Sequence, residues 1–444
     1  MSAPPGDGPP AAADPTPTDA PGRRNGAPPE EGAAAGTEPH RGLLEALIDG
    51  SHLAVPDDVP ALLVRHGVLL GALDVGLYLA DLEQQTLRPV PNPAGSTRDP
   101  VDIDATLAGR CFQRIEIERS DPVDGRVSAW IPVLDGTERL GVLEVVLPAG
   151  QIAPPITALT AFGGLVAELV VTKANYGDLF EKVRRTRPLS AAAELLWQLL
   201  PPLTFANNEL VIAAAFAPPY DLGGDAFDYA VDAHTARLAI FDALGHGLSS
   251  GLLATLVLAT YRNCRRLDMP LEATVEAIDA AIAAQYTDSS FVTGVVAELD
   301  ISSGELRYCV AGHPRPLLLR NGRIVKELRN VVNRPPLGLR SGPWEPAHET
   351  LEPDDRVILF SDGVTEARRE GGQFLGDARL ADLIVRASGA GAPPPETLRR
   401  LLRSILDHQE GELQDDATVV ILEWRGPGPD RLDIDGPPHL APRP

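Results

Sequence analysis

Four short fragments that carry aspartate follow one another through the second half of the chain. They read Gly-Gly-Asp at 223–225, Phe-Asp-Ala-Leu-Gly-His-Gly at 241–247, Ser-Asp-Gly at 361–363 and Asp-Asp-Ala-Thr at 415–418. Each alone is an ordinary turn sequence, because glycine and aspartate are common in turns. Three of the four, however, lie next to short apolar runs, at residues 237–241, 356–360 and 417–424. Runs rich in Val, Ile and Phe predict buried strands.

Carboxylates that meet at strand ends constrain the fold, because like charges repel. Two of them about 4 Å apart repel by roughly 4 kcal/mol at an effective dielectric constant of about 20. A fold that gathers them therefore needs cations. Oxygen ligands with room for water suit Mg²⁺ or Mn²⁺, whereas a Zn²⁺ site would be expected to contain His and Cys at ligand spacing. The fragments therefore predict a site for Mn²⁺ or Mg²⁺.

Residues from about 190 to 424 resemble the metal-dependent protein phosphatase superfamily (PPM, PP2C-like), in its bacterial stage II sporulation protein E branch. The aromatic residue that often follows the Gly-Gly-Asp of this family is replaced here by Ala226. Seven segments carry the resemblance in family order: Leu-Leu-Pro-Pro (199–202), Gly-Gly-Asp-Ala-Phe-Asp (223–228), Asp-Ala-Leu-Gly-His-Gly (242–247), Ala-Gly-His-Pro (311–314), Pro-Leu-Gly (336–338), Ser-Asp-Gly-Val-Thr-Glu-Ala (361–367) and Asp-Asp-Ala-Thr (415–418).

The resemblance implies a site that binds two ions. Asp242 is expected to bridge them, Asp362 and Asp415 to complete their shells, and Asp225 to lie on the outer side of one ion. The backbone carbonyl of Ala243 is expected to be a further ligand. Two ions 3.5 to 4 Å apart lower the pKa of a shared water from about 15.7 toward roughly 7 and neutralise phosphoryl oxygens. No cysteine or histidine nucleophile is then required.

Four further residues are expected to support this site. Asp228 and Asp416 are predicted to orient ligands and waters. His246 lies between two glycines and is predicted to shape the turn that presents the bridging aspartate, with a role as general acid as the alternative. His313 is predicted to hydrogen-bond a nearby loop, with contact to the phosphate as the alternative.

Net charge, apolar stretches and cysteine content limit the binding partners and the cellular location that the sequence predicts. The 444 residues carry a formal charge of −23, which argues against nucleic acid or an anionic membrane as partner. The start shows no signal peptide, and the longest apolar stretch, 156–171, is predicted to be too short and too polar to span a bilayer. Three widely separated cysteines indicate reduced thiols in a cytoplasmic protein: Cys111, Cys264 and Cys309.

The chain divides into five parts of α+β class. Residues 1–40 and 425–444 are predicted to be flexible tails, since the first contains almost no large apolar residue. Residues 41–150 resemble a GAF sensor domain, because a helix pair precedes a meander of strands with a late hairpin; such a domain binds a small molecule or simply dimerises. Residues 151–202 are predicted to be a helical linker, and residues 203–424 an α-β-β-α sandwich phosphatase domain.

The linker carries apolar residues at coiled-coil spacing. Leu189, Ala192, Leu196 and Leu199 fall on one seam, which predicts pairing with a second copy and a homodimer. The alternative is a helix packed on its own domain. The residues before about 203 are expected to regulate catalysis, because every expected ligand lies after them.

The predicted function is therefore a metal-dependent protein serine/threonine phosphatase. By resemblance, its expected substrate is a phosphorylated anti-sigma-factor antagonist of the STAS fold. Two alternatives stay open: a catalytically silent binding regulator, and a metal-dependent hydrolase of another phosphoester. The sequence has no glycine-rich phosphate loop with a Walker-type lysine, which is mild evidence against a nucleotide substrate.

Overall fold

A computed structural model describes residues 38–93, 95–217, 220–286, 290–339, 344–366, 376–408 and 416–427. Most of the two predicted tails, residues 1–37 and 428–444, lies outside the described residues. Asp415, one of the expected metal ligands, also lies outside them.

The N-terminal block, residues 38–184, is built on one antiparallel sheet of order β3-β2-β1-β6-β5-β4. The strands are β1 (Asp74–Ala80), β2 (Thr86–Pro89), β3 (Val101–Asp102), β4 (Glu118–Arg119), β5 (Arg126–Asp135) and β6 (Glu138–Pro148). The helices are α1 (Glu38–Ser51), α2 (Val59–Gly67), α3 (Leu107–Arg114), α4 (Ile156–Ala174) and α5 (Leu179–Arg184), with 3-10 turns at Pro56–Asp58 and Val68–Leu70. One core joins α1, α2, α4 and α5 to the sheet, and a second core joins α3 to it. The predicted helix pair and the late β5–β6 hairpin are present, while the assignment to the GAF fold stays a prediction.

Helix α4 contains the longest apolar stretch of the sequence. In the described part of the chain it is the one helix long and apolar enough, by length and composition, to cross a membrane. Its Leu159, Phe162 and Val166 are fully buried in the core of the N-terminal block. Gly163 permits a close approach to β5, because a Cβ there would lie 2.7 Å from the carbonyl oxygen of Pro132. These contacts are those of a core helix.

The C-terminal block, residues 191–427, contains two antiparallel sheets. The strands are β7 (Thr204–Ala206), β8 (Leu210–Ala217), β9 (Asp225–Val231), β10 (Thr235–Ala243), β11 (Val292–Asp300), β12 (Glu305–Ala311), β13 (Leu317–Arg320), β14 (Arg323–Glu327), β15 (Ala347–Thr350), β16 (Asp355–Phe360) and β17 (Ala417–Trp424). The helices are α6 (Ala191–Trp197), α7 (Leu248–Arg266), α8 (Leu271–Gln285), α9 (Asp362–Thr365), α10 (Gly376–Ala387) and α11 (Pro394–His408), with a 3-10 turn at Gly389–Gly391.

The layers follow the predicted α-β-β-α order. The first sheet has the order β15-β12-β11-β10-β9 and the second the order β14-β13-β16-β17-β8-β7. Helices α7 and α8 pack on the first sheet, and α10 and α11 pack on the second. Asn321 and Gly322 form the turn that joins β13 to β14, and both residues have a positive φ, as a tight hairpin requires. This architecture brings the ends of β9, β10, β16 and β17 toward one edge.

The linker seam is covered by its own chain, which corrects the prediction that it pairs with a second copy. Ala192 and Leu196 are at most 1% exposed; Leu196 belongs to the core of the C-terminal block, and Ala192 lies against Gly251 of α7. Leu189 and Leu199 flank α6 and pack partly buried against the same core. Helix α6 is only seven residues long, and its apolar residues are taken up by packing against α7 and the sheet. The homodimer itself stays a prediction, without this seam as its interface.

We expect Leu196→Ala to lower the free energy of unfolding by about 2 to 5 kcal/mol, because it leaves a cavity in a packed core. Gln198→Ala, two residues away and exposed, is the matched control and should change it by less than about 0.5 kcal/mol. Denaturant unfolding and analytical ultracentrifugation measure both. A dimer that dissociates in Leu196→Ala with unchanged unfolding would instead support the predicted seam.

Candidate active site at the edge of the two sheets

Two aspartates face each other across neighbouring strands. Asp225 begins β9 and Asp242 lies one residue before the end of β10, and the two are direct partners in the antiparallel register. Opposite residues in such a pair have Cα atoms about 4.5 to 5.5 Å apart. Asp225 is 2% exposed, while Asp242 is partly exposed. The register alone therefore places both carboxylates at one edge of the first sheet.

Asp416 joins this edge from the second sheet. Its Oδ2 accepts hydrogen bonds from the backbone N–H groups of Gly223 at 2.6 Å and Gly224 at 2.9 Å. Asp416 directly precedes β17, so it ties the start of that strand to the turn before Asp225. This contact agrees with the predicted orienting role of Asp416.

Asp362 enters the edge beside Asp416. It is the first residue of α9 and follows β16, whose last residue, Phe360, is the register partner of Val419 in β17. Between them, Ser361 donates a hydrogen bond from its Oγ to the carbonyl oxygen of Asp416 at 3.2 Å. The same Oγ accepts one from the N–H of Thr418 at 2.9 Å. Ser361 thus fixes the two acidic segments to each other.

The electrostatics of Asp225 reflect its acidic neighbours. Burial raises the pKa of Asp225 well above its usual value, the neighbouring charges of Asp242 and Asp416 raise it further, and the nearby hydroxyl groups of Ser361 and Thr418 lower it in part. Its Oδ2 is buried and has no hydrogen-bond partner in the protein. A buried carboxylate oxygen without a donor is costly, and a cation beside it would remove that cost.

The backbone of Ala243 lies against the same turn. The N–H of Ala243 donates a hydrogen bond to the carbonyl oxygen of Gly224 at 3.2 Å. A Cβ at Gly224 would lie only 2.6 Å from the carbonyl oxygen of Ala243. Glycine is therefore required at this position by close approach of the backbone.

The donors fit a hard divalent cation, although the described residues do not form a complete site. Carboxylate and carbonyl oxygens come from Asp225, Asp242, Ala243 and Asp362, and no thiol or imidazole is among them. Within the described ranges, no three His, Cys, Asp or Glu side chains are grouped closely enough to hold an ion by themselves. Asp415, the remaining expected ligand, is not among those residues. The ligand set therefore stays a prediction that the unsatisfied oxygen of Asp225 supports.

The two histidines of the motifs differ in their surroundings. His246 is exposed in the loop between Gly245 and Gly247, both of which have a positive φ. His313 is buried, and its Nδ1 lies 2.7 Å from Oγ1 of Thr293, the register partner of Asp242. Burial lowers the pKa of His313 to about 3, so its ring is neutral near pH 7. His313 therefore hydrogen-bonds a strand beside the site, where a loop was predicted, and its neutral ring does not supply a positive charge for a phosphate.

Asp228 has a role that the sequence did not reveal. Its side chain, 1% exposed, accepts hydrogen bonds from Arg262 at 2.9 and 3.0 Å and lies 3.3 Å from Arg265. Arg262 also donates to the carbonyl oxygen of Leu199, just after α6. Because Asp228 is three residues from Asp225 on a strand, the two side chains point to opposite faces. Asp228 therefore anchors α7 and the end of the linker, which corrects its predicted role in orienting ligands.

The three cysteines are free and buried. Burial raises the thiol pKa of all three, and it raises that of Cys309 to about 12. These thiols remain protonated near neutral pH and are poor nucleophiles. This agrees with their predicted place in the core.

Two helix-covered sheets with carboxylates at one edge agree with the α-β-β-α architecture that the sequence resemblance predicts. Residues 232–425 match the family Stage II sporulation protein E (SpoIIE). Phosphoserine phosphatase RsbU of Bacillus subtilis (strain 168) is 25% identical over 266 residues, covering 57% of this chain and 77% of that relative. Phosphoserine phosphatase RsbP of the same organism is 23% identical over 222 residues, covering 49% of this chain and 52% of that relative.

Solved structures also align with the chain. The RsbU and RsbW domains of a Mycobacterium tuberculosis protein share 27% identity, with 52% of this chain and 64% of that chain covered and a TM-score of 0.45. The SiaA PP2C domain of Pseudomonas aeruginosa shares 21% identity, with 52% and 94% covered and a TM-score of 0.45. The family match and the sequence relatives together show that the C-terminal block is similar to SpoIIE-type, PP2C-like protein phosphatases.

We expect Gly224→Ala to disturb the site, because the new Cβ would press on the carbonyl oxygen of Ala243. The backbone must then shift by several tenths of an ångström, and Mn²⁺ binding by calorimetry should weaken at least about tenfold, as for loss of a group that orients a ligand. Gly164→Ala, in α4, is the matched control, because nothing lies within 4 Å of its new Cβ. Equal Mn²⁺ affinities in the two variants would contradict the close approach.

Proposed function

We propose that the chain is a Mn²⁺- or Mg²⁺-dependent phosphatase that hydrolyses phosphoserine or phosphothreonine in a regulatory protein. The observation that carries this proposal is the convergence of Asp225, Asp242 and Asp416 at one edge of a SpoIIE-type domain. A purely binding protein of this fold would have no need for a buried carboxylate oxygen without a donor.

The proposed mechanism gives the acidic residues the role of metal ligands. Asp242, Asp225, Asp362, Asp415 and the carbonyl oxygen of Ala243 would hold the ions. When bound, the ions supply an acidified water and neutralise the phosphoryl oxygens.

The surrounding groups hold this arrangement in place. The hydroxyl of Ser361 keeps the segments of Asp362 and Asp416 together, and Asp416 holds the turn before Asp225 through two backbone N–H groups. Preorganised groups of this kind do not reorganise when charge develops in the transition state.

The substrate is proposed to be a phosphorylated anti-sigma-factor antagonist of the STAS fold. The resemblance to the SpoIIE branch supports this, and so does the match to RsbU, a phosphoserine phosphatase by name. The N-terminal block is proposed to be a GAF-like sensor that binds a small molecule or dimerises, and the location to be the cytoplasm.

We expect Asp242→Asn to slow hydrolysis of a phosphoseryl protein at least about 100-fold, the scale of losing one preorganised charge at a reacting centre. Asp232→Asn is the matched control, because Asp232 is 62% exposed and pairs with Arg237 away from the edge. Steady-state rates with saturating Mn²⁺ measure both. Similar rates for Asp242→Asn and the wild type would refute the assignment.

We expect the chain to dephosphorylate a phosphorylated STAS-fold antagonist faster than an unrelated phosphopeptide with the same phosphorylated residue. A folded partner offers contacts beyond the phosphate, and those contacts raise kcat/KM. The comparison of kcat/KM for the two substrates is the measurement. Equal values would show that the class of substrate is wrong while leaving the phosphatase activity standing.

A further inference from the structure

A buried group of charges connects the N-terminal block to α11. Asp104, in the turn before α3, lies 2.6 Å from Nη2 of Arg399 and also contacts Arg403. Nη1 of Arg139, at the start of β6, lies 3.5 Å from Oε2 of Glu396, which also binds Arg399 at 3.0 Å. We call these five residues the α11 clamp.

The centre of the clamp is deeply buried, whereas Asp104 and Arg403 at its rim are 32% and 49% exposed. The side chains of Arg139, Glu396 and Arg399 are 5%, 4% and 7% exposed. Taking such charges out of water cancels most of their attraction, so a buried pair adds little net stability, whereas removal of one partner is costly. The clamp therefore fixes the position of α11 relative to the N-terminal block, while it adds little to the free energy of unfolding.

The contact around the clamp is polar and incompletely packed. Nη2 of Arg139 also lies 3.1 Å from Oε1 of Gln84 in the β1–β2 turn. Beside them is a small cavity of about 50 Å³, lined among others by Trp197, Phe216 and Leu402. A contact of this kind can rearrange without unfolding either block, unlike the close-packed cores on either side.

Helix α11 leads from the clamp to the catalytic edge. Its Leu398, Leu401 and Ile405 are fully buried in the core that contains Ala417 and Val419 of β17. Ala417 directly follows Asp416, the residue that holds the turn at Gly223 and Gly224. A displacement of α11 is thus passed by direct packing to the strand that positions Asp416.

We propose that the N-terminal block acts on the catalytic edge through α11, with Arg139 and Asp104 as positioning residues. The clamp holds α11 against β17 and so keeps Asp416 and its glycine turn in the arrangement needed for hydrolysis. This rests on the proposed phosphatase function. The proposed regulatory contact is therefore α11, which lies near the C-terminal end of the catalytic domain. The predicted linker precedes the N-terminal end of that domain.

The test uses the full chain and changes only the N-terminal block. Arg139→Gln and Asp104→Asn each remove a clamp charge, while Glu396 and Arg399 keep their contact with each other. Arg110→Gln is the matched control, because Arg110 also lies in the N-terminal block and pairs with Glu118 at 2.8 Å away from α11. We expect each clamp variant to lower kcat about 5- to 150-fold, the range of allosteric couplings, and the control to leave it unchanged.

A second readout distinguishes positioning from local damage. Amide hydrogen exchange at Gly223, Gly224 and the start of β17 should speed up in Arg139→Gln and not in Arg110→Gln. Arg139→Lys, which keeps the charge, should restore part of the rate. Unchanged or higher kcat in both clamp variants, or faster exchange confined to the β5–β6 turn and the start of α11, would overturn the proposal.

The test still gives an answer if Arg139→Gln does not fold or if the wild type is inactive. If Arg139→Gln fails to fold, Asp104→Asn carries the test, because Asp104 is 32% exposed and its loss is less damaging. If the wild type has no phosphatase activity with Mn²⁺, the proposed function fails. The exchange measurement would still support or overturn the path from the clamp to β17.

Discussion

Repulsion between carboxylates at the sheet edge is the constraint on which the rest of the structure depends. Asp225 is buried beside Asp242 and Asp416, and burial and both charges raise its pKa. Left alone, such a group would push its members apart or take up a proton. The fold prevents separation by fixing each member to the backbone: register pairing holds two of them, and two glycine N–H groups hold the third.

The α-β-β-α layers make that arrangement possible. Antiparallel pairing brings β9 against β10 in one sheet and β16 against β17 in the other. Asp416 then joins the two sheets at the edge, while Ser361 ties the end of β16 to the start of β17 within the second sheet, so the site draws on residues almost 200 positions apart. The outer helices cover the sheets, and α11 extends the same packing toward the N-terminal block.

Much of this was predictable from the sequence, because motif order and apolar runs are local signals. The strands predicted from the apolar runs at 237–241, 356–360 and 417–424 are present as β10, β16 and β17, and the acidic positions lie at their ends. Strand β9 was not predicted, since Asp225 and Asp228 interrupt its apolar pattern. The role of Asp228 was mistaken because a strand's facing depends on its register, which the sequence does not display.

Long-range contacts account for the other differences. The spacing of Leu189, Ala192, Leu196 and Leu199 is the same whether the partner is a second chain or the chain's own core, and the structure shows the core. The α11 clamp joins Arg139 to a residue 257 positions later, and no local pattern indicates such a contact.

The most direct test of the central claim is metal-dependent hydrolysis by chelator-stripped protein. A phosphoseryl protein is the substrate, and Mn²⁺ or Mg²⁺ is added back in increasing amounts. Hydrolysis should be absent in excess chelator and should return with saturation as the carboxylates take up the ions. Hydrolysis that continues unchanged in excess chelator would contradict a metal-dependent phosphatase site at this edge.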